Sequence, residues 1–242
     1  MLENVLDYEQ DLFLQLNSIH SPFGNQFMWL YSGKIAWIPL AILFVVILSY
    51  KNRKHWKETL LIFAAIALVI TFCDQFSSGF CKPFFLRFRP THHPDFMNEV
   101  NTVFDYRGGR YGFISSHAAN AFGFATLTSL IFRYRFYTIM LYLWATINAY
   151  SRIYLGVHFI TDIVPGILVG LFFGWVVYKM YVYIRKKAIT GKVVSSDVQD
   201  EDIRNLRSGL NLIIYILILT IVVMAIISML YAFKIIPAIT VK

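Results

Sequence analysis

Residues 151–162 read Ser151-Arg152-Ile153-Tyr154-Leu155-Gly156-Val157-His158-Phe159-Ile160-Thr161-Asp162 and join two long apolar runs, about 137–155 and 160–184. Charge is expensive at such a depth, so an ionisable residue there is a functional candidate. On a helix His158 and Asp162 stand at i and i+4 and share a face. Asp162 is then expected to accept a hydrogen bond from one ring nitrogen of His158. The other nitrogen is left as a lone pair, facing whatever Arg152 holds. Arg152 offers a planar fork of donors suited to phosphate or carboxylate. A cation to hold an anion, an imidazole to attack it and a carboxylate to orient the imidazole make a reaction centre. The same three residues also fit a buried polar cluster that pins helices together, and this stretch alone does not separate the two.

Outward from it, the chain is apolar almost throughout. Of its 242 residues 57% are hydrophobic and 15% charged, against about 45–50% and about 25% in ordinary soluble domains. The mean hydropathy is +0.57. This is the composition of an integral membrane protein. The net charge of +8 sits in loops between apolar runs, which reads as topology with some attraction to anionic headgroups, not as nucleic-acid binding. Cys73 and Cys81 lie eight residues apart. On one helix that is about 12 Å, beyond disulfide reach. Met1-Leu2-Glu3-Asn4 carries no basic segment of the kind that opens a cleavable signal, so insertion is expected to rest on the first apolar span.

Residues 2–19 are too polar to span and fit an interfacial helix, broken at Ser21-Pro22-Phe23-Gly24-Asn25. Candidate spans follow at about 27–50, 58–80, 114–132, 137–155, 160–184 and 210–233. Each approaches the roughly 20 residues needed to cross the hydrocarbon. The expected fold is an all-α bundle of six transmembrane helices with an N-terminal interfacial helix. Lys and Arg in the loops at 51–57, 133–135 and 185–209 place those loops in the cytoplasm. Both termini and the 81–113 loop then fall outside. That loop's own cations, Lys82, Arg87, Arg89, Arg107 and Arg110, oppose the count unless they hold a substrate. Gly166, Gly170 and Gly174 repeat every fourth residue, a pattern for close helix contact within the bundle.

Two further clusters join the first on the outer side. Lys82-Pro83-Phe84-Phe85-Leu86-Arg87-Phe88-Arg89-Pro90 follows the second span, and Phe113-Ile114-Ser115-Ser116-His117-Ala118-Ala119-Asn120 opens the third. Lys82, Arg89 and Arg152 supply three cations for one anion. Ser115 and Ser116 start a helix, where free N–H groups and the dipole favour an anion. His117, in the same turn, can serve as an acid. Together these make a phosphate site with a nucleophile and a proton donor.

At this point the sequence resembles the type 2 phosphatidic acid phosphatase (PAP2) superfamily, whose fold is shared with vanadium haloperoxidases. The family's first motif, Lys-x6-Arg-Pro, matches Lys82, Arg89 and Pro90. Its third, Ser-Arg-x5-His-x3-Asp, matches Ser151, Arg152, His158 and Asp162 in full. Its second, usually Pro-Ser-Gly-His, reads Ile114-Ser115-Ser116-His117 here, so Ser115 and His117 match. The likeness covers about residues 74–170. It implies that His158 is a nucleophile forming a phosphohistidine, oriented by Asp162. His117 would protonate the leaving oxygen and then activate water, while Lys82, Arg89, Ser115, Ser116 and Arg152 bind the phosphoryl oxygens. No metal and no cofactor are implied. Gly commonly stands where backbone must approach a ligand; Ser116 can still present its N–H, or add a hydroxyl donor, and of the two the backbone alone is expected to do the binding.

The resemblance further implies one PAP2-like transmembrane domain over 1–242. Its catalytic core is about 74–170; the mixed charges of 185–209 read as a solvated cytoplasmic linker, and the apolar run at 210–233 as a last span. The expected activity is hydrolysis of a phosphate or pyrophosphate from a lipid at the outer face of a bacterial inner membrane. Lipid A phosphate and undecaprenyl pyrophosphate are favoured over phosphatidylglycerol phosphate and phosphatidic acid. A transporter would spread its charges through the bundle, whereas these cluster at one face. A haloperoxidase-like enzyme would leave the spans unexplained. Asp74 either pairs with Lys82 or bonds within the bundle. His92-His93-Pro94-Asp95 lacks a second ligand set and reads as a surface loop. Phe96, Phe104, Tyr106, Tyr111 and Phe113 are expected to form an interfacial aromatic belt.

Overall fold

The computed structural model describes residues 2–189 and 196–240, with side chains described over 8–189 and 205–240. Among them the chain is helix and loop, with one isolated antiparallel bridge between Phe88 and Tyr111. The helices are α1 (Leu2–Asn17), α2 (Pro22–Ser32), α3 (Lys34–Lys51), α4 (Trp56–Asp74), the short α5 (Lys82–Phe85), α6 (Ser116–Phe132), α7 (Arg135–Tyr154), α8 (Ile160–Ala188) and α9 (Ser196–Ala232). Among the described residues four stretches are long and apolar enough to cross a membrane: Lys34–Lys51, Arg53–Phe85, Ile160–Ala188 and Asn205–Ala232. The protein is an all-helical integral membrane bundle.

α6 and α7 fall outside those four for physical reasons. α6 has only 17 residues, and α7 ends in the polar run Asn148, Ser151 and Arg152, all buried. α6 is enclosed by its neighbours: Ala118, Ala119, Ala125 and Leu127 have no exposed surface. A helix covered by protein does not have to be apolar all round. Its partner is α8. A Cβ placed on Gly166 would lie 2.7 Å from the Ser115 carbonyl oxygen, and one on Gly170 would lie 2.5 Å from that of Ala119. The fourfold glycine spacing therefore serves close contact inside the bundle, and it fixes the start of α6 against α8.

Two expected boundaries change. The apolar run at 27–50 is two helices, broken at Gly33, whose extended backbone (φ −73°, ψ 128°) ends α2. The Trp37 indole donates to the freed Tyr31 carbonyl at 2.7 Å and stabilises the break. The only sequence sign is polar Ser32-Gly33-Lys34 inside an apolar run. The 185–209 stretch is largely helical: α8 continues to Ala188 and α9 begins at Ser196. The part of that expected linker at 190–195 lies outside the described residues.

α1 is tied to the bundle by its own side chains. Phe13 is fully buried, with ring centroids 5.4 Å from Phe159 and 6.2 Å from Phe96. Asn17, also fully buried, donates to the carbonyls of Asn101, Ile153 and Tyr154 at 3.1 Å each and accepts the Asn101 N–H at 2.8 Å. Every donor and acceptor of that amide is used in capping α7 and the loop before α6.

Candidate active site

The ends of α2, α5 and α7 and the starts of α3, α6 and α8 meet at one end of the bundle, and the three sequence clusters meet with them. Lys82 follows a π-helical stretch, Gln75–Cys81, that continues α4. Such insertions are frequent at functional sites. Lys82 Nζ donates to Ser78 Oγ at 2.9 Å and to Ser116 Oγ at 2.5 Å, and Ser78 in turn donates to Asp74 Oδ1 at 3.5 Å. Asp74 thus reaches Lys82 through Ser78.

Arg89, 8% exposed, is aimed by backbone carbonyls: Nε donates to Tyr111 at 3.0 Å and Nη1 to Val157 at 3.5 Å. Burial, and then the charge of Arg152, pull its guanidinium down to about 10, so it stays cationic at neutral pH. Arg152 is 2% exposed; Nη1 donates to the Ser32 hydroxyl and Nη2 to the Tyr106 hydroxyl at 3.4 Å, while Nε has no partner among the described residues. A buried donor left open in this way is available to an anion.

His158 lies in the turn between α7 and α8, not on a helix. Its Nδ1 is 3.2 Å from Asp162 Oδ2, which also accepts the Phe159 N–H at 3.1 Å. Asp162 caps the start of α8 and orients the imidazole with the same oxygen. Burial first, then the charges of Arg89 and Arg152, hold His158 well below its ordinary value of 6.5, so it is a neutral base. Gly112 closes over this pair. A Cβ there would lie 2.9 Å from Asp162 Oδ2 and 3.5 Å from His158 Nδ1.

Lys82, Arg89, Ser116, His117 and His158 line one cavity of about 580 Å³. The rest of its wall is largely apolar, with Leu40, Phe44, Ile66, Ile70, Phe124 and Leu217 running down between the helices. Arg152 lines an adjoining vestibule of about 1030 Å³ with Tyr106 and Arg107; Ser32, Lys34 and His117 line both spaces. Ser115 is fully buried: its hydroxyl accepts the Ala118 N–H at 3.5 Å and its N–H donates to the Asp162 carbonyl at 2.9 Å. It holds α6 to α8. The described residues form no cluster of three or more His, Cys, Asp or Glu placed to hold a metal. His93 packs on Phe96 with ring centroids 4.9 Å apart, and its Nδ1 is 3.9 Å from Asp95.

Other residues have places the sequence did not indicate. Ser32, Lys34 and Asn120 join the cavity lining, and Tyr106 holds Arg152. Lone Lys34 within an apolar run was the one available signal. Of the loop cations expected to face substrate, Arg87 binds Asp162, and Arg110 lies over the rings of Phe88 and Tyr111 at 5.1 and 5.6 Å. The loop aromatics are not a belt. Phe96 is buried, Phe104 and Tyr106 pack edge-on to Trp29, and Phe113 packs on Phe85. They fold the loop onto the bundle.

The family model for the PAP2 superfamily matches residues 59–186. A lipid A 4'-phosphatase of Porphyromonas gingivalis is 50% identical over 186 residues, 77% of this chain and 78% of that protein. The chain belongs to the PAP2 superfamily. A lipid A 4'-phosphatase of Bacteroides thetaiotaomicron is 41% identical over 181 residues, 74% of this chain and 79% of that protein. A crystal structure of a transmembrane PAP2-type phosphatidylglycerolphosphate phosphatase from Bacillus subtilis superposes with a TM-score of 0.54 at 20% identity. It covers 78% of this chain and 90% of that one. The shared fold is the PAP2 helical bundle, and this PAP2 protein is a membrane lipid phosphatase, a phosphoric monoester hydrolase.

Proposed function

We propose that this PAP2 phosphatase removes the 4'-phosphate of lipid A through a phosphohistidine on His158, at the periplasmic face of a bacterial inner membrane. The carrying observation is the His158–Asp162 pair beside Lys82, Arg89 and His117 at the polar end of a cavity whose remaining wall is apolar. The polar end suits a phosphate and the apolar wall suits acyl chains. The two curated relatives favour lipid A over undecaprenyl pyrophosphate, and a monoester over a diphosphate.

In the proposed reaction His158 Nε2 attacks phosphorus while Nδ1–H is held by Asp162. The bond from phosphorus to the lipid oxygen breaks, and His117 gives that oxygen its proton. His117 then takes a proton from water, whose oxygen attacks the phosphohistidine. The P–N bond breaks and inorganic phosphate leaves. Lys82, Arg89 and Arg152 neutralise the charge on the equatorial oxygens, the role that fixed positive groups play in phosphoryl transfer. The backbone N–H groups of Ser116 and His117, at the start of α6, add to it. Activity is expected to survive EDTA. The catalytic core is taken as residues 74–170, with α6 and α7 as the fifth and sixth crossings.

The test is phosphate release by the purified protein from lipid A, phosphatidic acid, phosphatidylglycerol phosphate and undecaprenyl pyrophosphate, with mass spectrometry to locate the phosphate lost. Selective loss from the 4' position is expected. Faster turnover of the diphosphate, or loss only from another position, would overturn the substrate assignment.

A further inference from the structure

Arg87 lies between the first-motif residues Lys82 and Arg89, yet its guanidinium is spent on the far side of the reaction centre. Nη1 donates to Asp162 Oδ1 at 3.0 Å and to the Thr161 hydroxyl at 2.6 Å; Nη2 donates to Glu9 Oε2 at 2.6 Å. Glu9, on α1, is 8% exposed, and its other oxygen accepts from the Thr161 N–H at 3.3 Å and from the Thr161 hydroxyl. The same guanidinium lies 4.7 Å over the ring of Phe159, the residue after His158, and Phe13 of α1 packs on that ring too.

Asp162 has two oxygens and both are committed. Oδ2 receives His158 Nδ1 and the Phe159 N–H, and Oδ1 receives Arg87. A carboxylate held on both sides cannot turn about its terminal bond, so the imidazole keeps one tautomer and one orientation. Arg87 also carries the charge that lets two carboxylates, Glu9 and Asp162, share one guanidinium without repulsion deciding the geometry.

We infer that Arg87, held by Glu9 of α1, is a positioning residue for the Asp162–His158 pair, which makes the N-terminal helix part of the catalytic apparatus. This rests on the phosphohistidine proposed above. Lys82, Arg89 and Arg152 face His158, and His117 lies near it across the site; all four stay in every variant. Removing Arg87 leaves Asp162 without its cation, so His158 takes a proton more readily. Removing the charge of Glu9 leaves Arg87 uncompensated and has the opposite effect.

The experiment compares kcat, KM and the acid limb of the pH profile for wild type, Arg87→Gln, Arg87→Lys, Glu9→Gln and His158→Ala in detergent, each checked for monodispersity. Arg87→Gln is expected to lose kcat tenfold or more with KM within threefold, and to move the acid limb to higher pH. Arg87→Lys should recover part of that loss. Glu9→Gln should lose less kcat and move the limb to lower pH. A kcat within threefold of wild type in Arg87→Gln overturns the inference alone, provided His158→Ala is inactive. So does a loss with an unmoved limb, the mark of a prop for the fold. If Arg87→Gln does not fold, the direction of the Glu9→Gln limb decides. Activity in His158→Ala removes the phosphohistidine and this inference with it.

Discussion

His158 Nδ1 and Asp162 Oδ2 are 3.2 Å apart although no helix carries both residues: Asp162 sits in the first turn of α8, and His158 lies two residues before that helix begins. The contact is a by-product of helix capping, since the same oxygen accepts the Phe159 N–H. His158→Ala is expected to abolish phosphate release while the protein still folds and inserts. Asp162→Asn should lower kcat by about a hundredfold or more, because an amide selects the wrong tautomer; the comparable change in a serine protease triad costs on the order of 10⁴. Steady-state kinetics on both variants checks this, and near-normal turnover by His158→Ala would remove the mechanism.

The pH dependence has a fixed sign. In the proposed mechanism the nucleophile is the neutral imidazole, and burial with nearby cations holds His158 well below 6.5. As pH falls through 6.5, an ordinary histidine protonates and activity drops; here His158 stays neutral and activity persists. The acid limb of kcat/KM, which reports free-enzyme ionisations, is therefore expected below pH 6.5. A limb centred above 7 would contradict the environment assigned to His158.

Ser116 shows where residue type was legible and role was not. In the sequence it looks like a stand-in for glycine, with the backbone expected to bind and a hydroxyl donor as the alternative. In the structure its hydroxyl is 2.5 Å from Lys82 Nζ and 3.0 Å from Ser78 Oγ. Ser116→Ala and Ser116→Gly are thus both expected to raise KM, by roughly three- to tenfold, what a typical hydrogen bond contributes net. Parallel KM measurements on the two variants check it. No change in either would mean that Ser78 alone holds Lys82.

What could be read from the chain was what depends on residue type and local order: the membrane class, the three motifs, the shared bundle end and the glycine stripe of α8. The rest depends on chain segments meeting at distance. Nothing in the local pattern of Glu9 distinguishes it from any polar residue of an amphipathic helix; its partner Arg87 is 78 positions away. Ser115 and Ser116 are adjacent and alike in sequence, yet one faces into the α6–α8 contact and the other into the cavity, because a helix start turns successive residues about 100° apart. The break at Gly33 was hidden because apolar residues continue on both sides of it, and hydropathy does not report backbone conformation.

Lys34 follows from that break. It opens α3 and lines both the cavity and the vestibule, next to Ser32, which holds Arg152. It is exposed, and no acidic partner sits on it among the described residues. Such a cation serves attraction and orientation of an anionic lipid more than the chemical step. Lys34→Ala is expected to raise KM for the lipid phosphate about three- to tenfold with kcat within twofold, the mark of lost uniform binding. A fall in kcat with unchanged KM would instead place Lys34 at the transferring phosphoryl group.

Charge predicts the side of the membrane on which the proposed chemistry occurs. Lys51, Arg53, Lys54 and Lys57 lie at one end of the bundle, where Arg185 also pairs with Glu58 at 2.8 Å. The phosphate site lies at the other end. Loop cations are retained in the cytoplasm, so the site is expected to face out, and its own cations do not upset the count because they are held: Arg89 by two carbonyls, Arg152 by Ser32 and Tyr106, Arg87 by two carboxylates. Asp95, with its side chain 87% exposed, is a suitable reporter on the site side, and exposed Lys54 on the other. Cys73 and Cys81 are both buried and are replaced first, which leaves a background without thiols. Asp95→Cys is then expected to react with an impermeant thiol reagent in intact spheroplasts, and Lys54→Cys only after permeabilisation. The reverse pattern would turn the bundle over and put phosphate removal at the cytoplasmic leaflet.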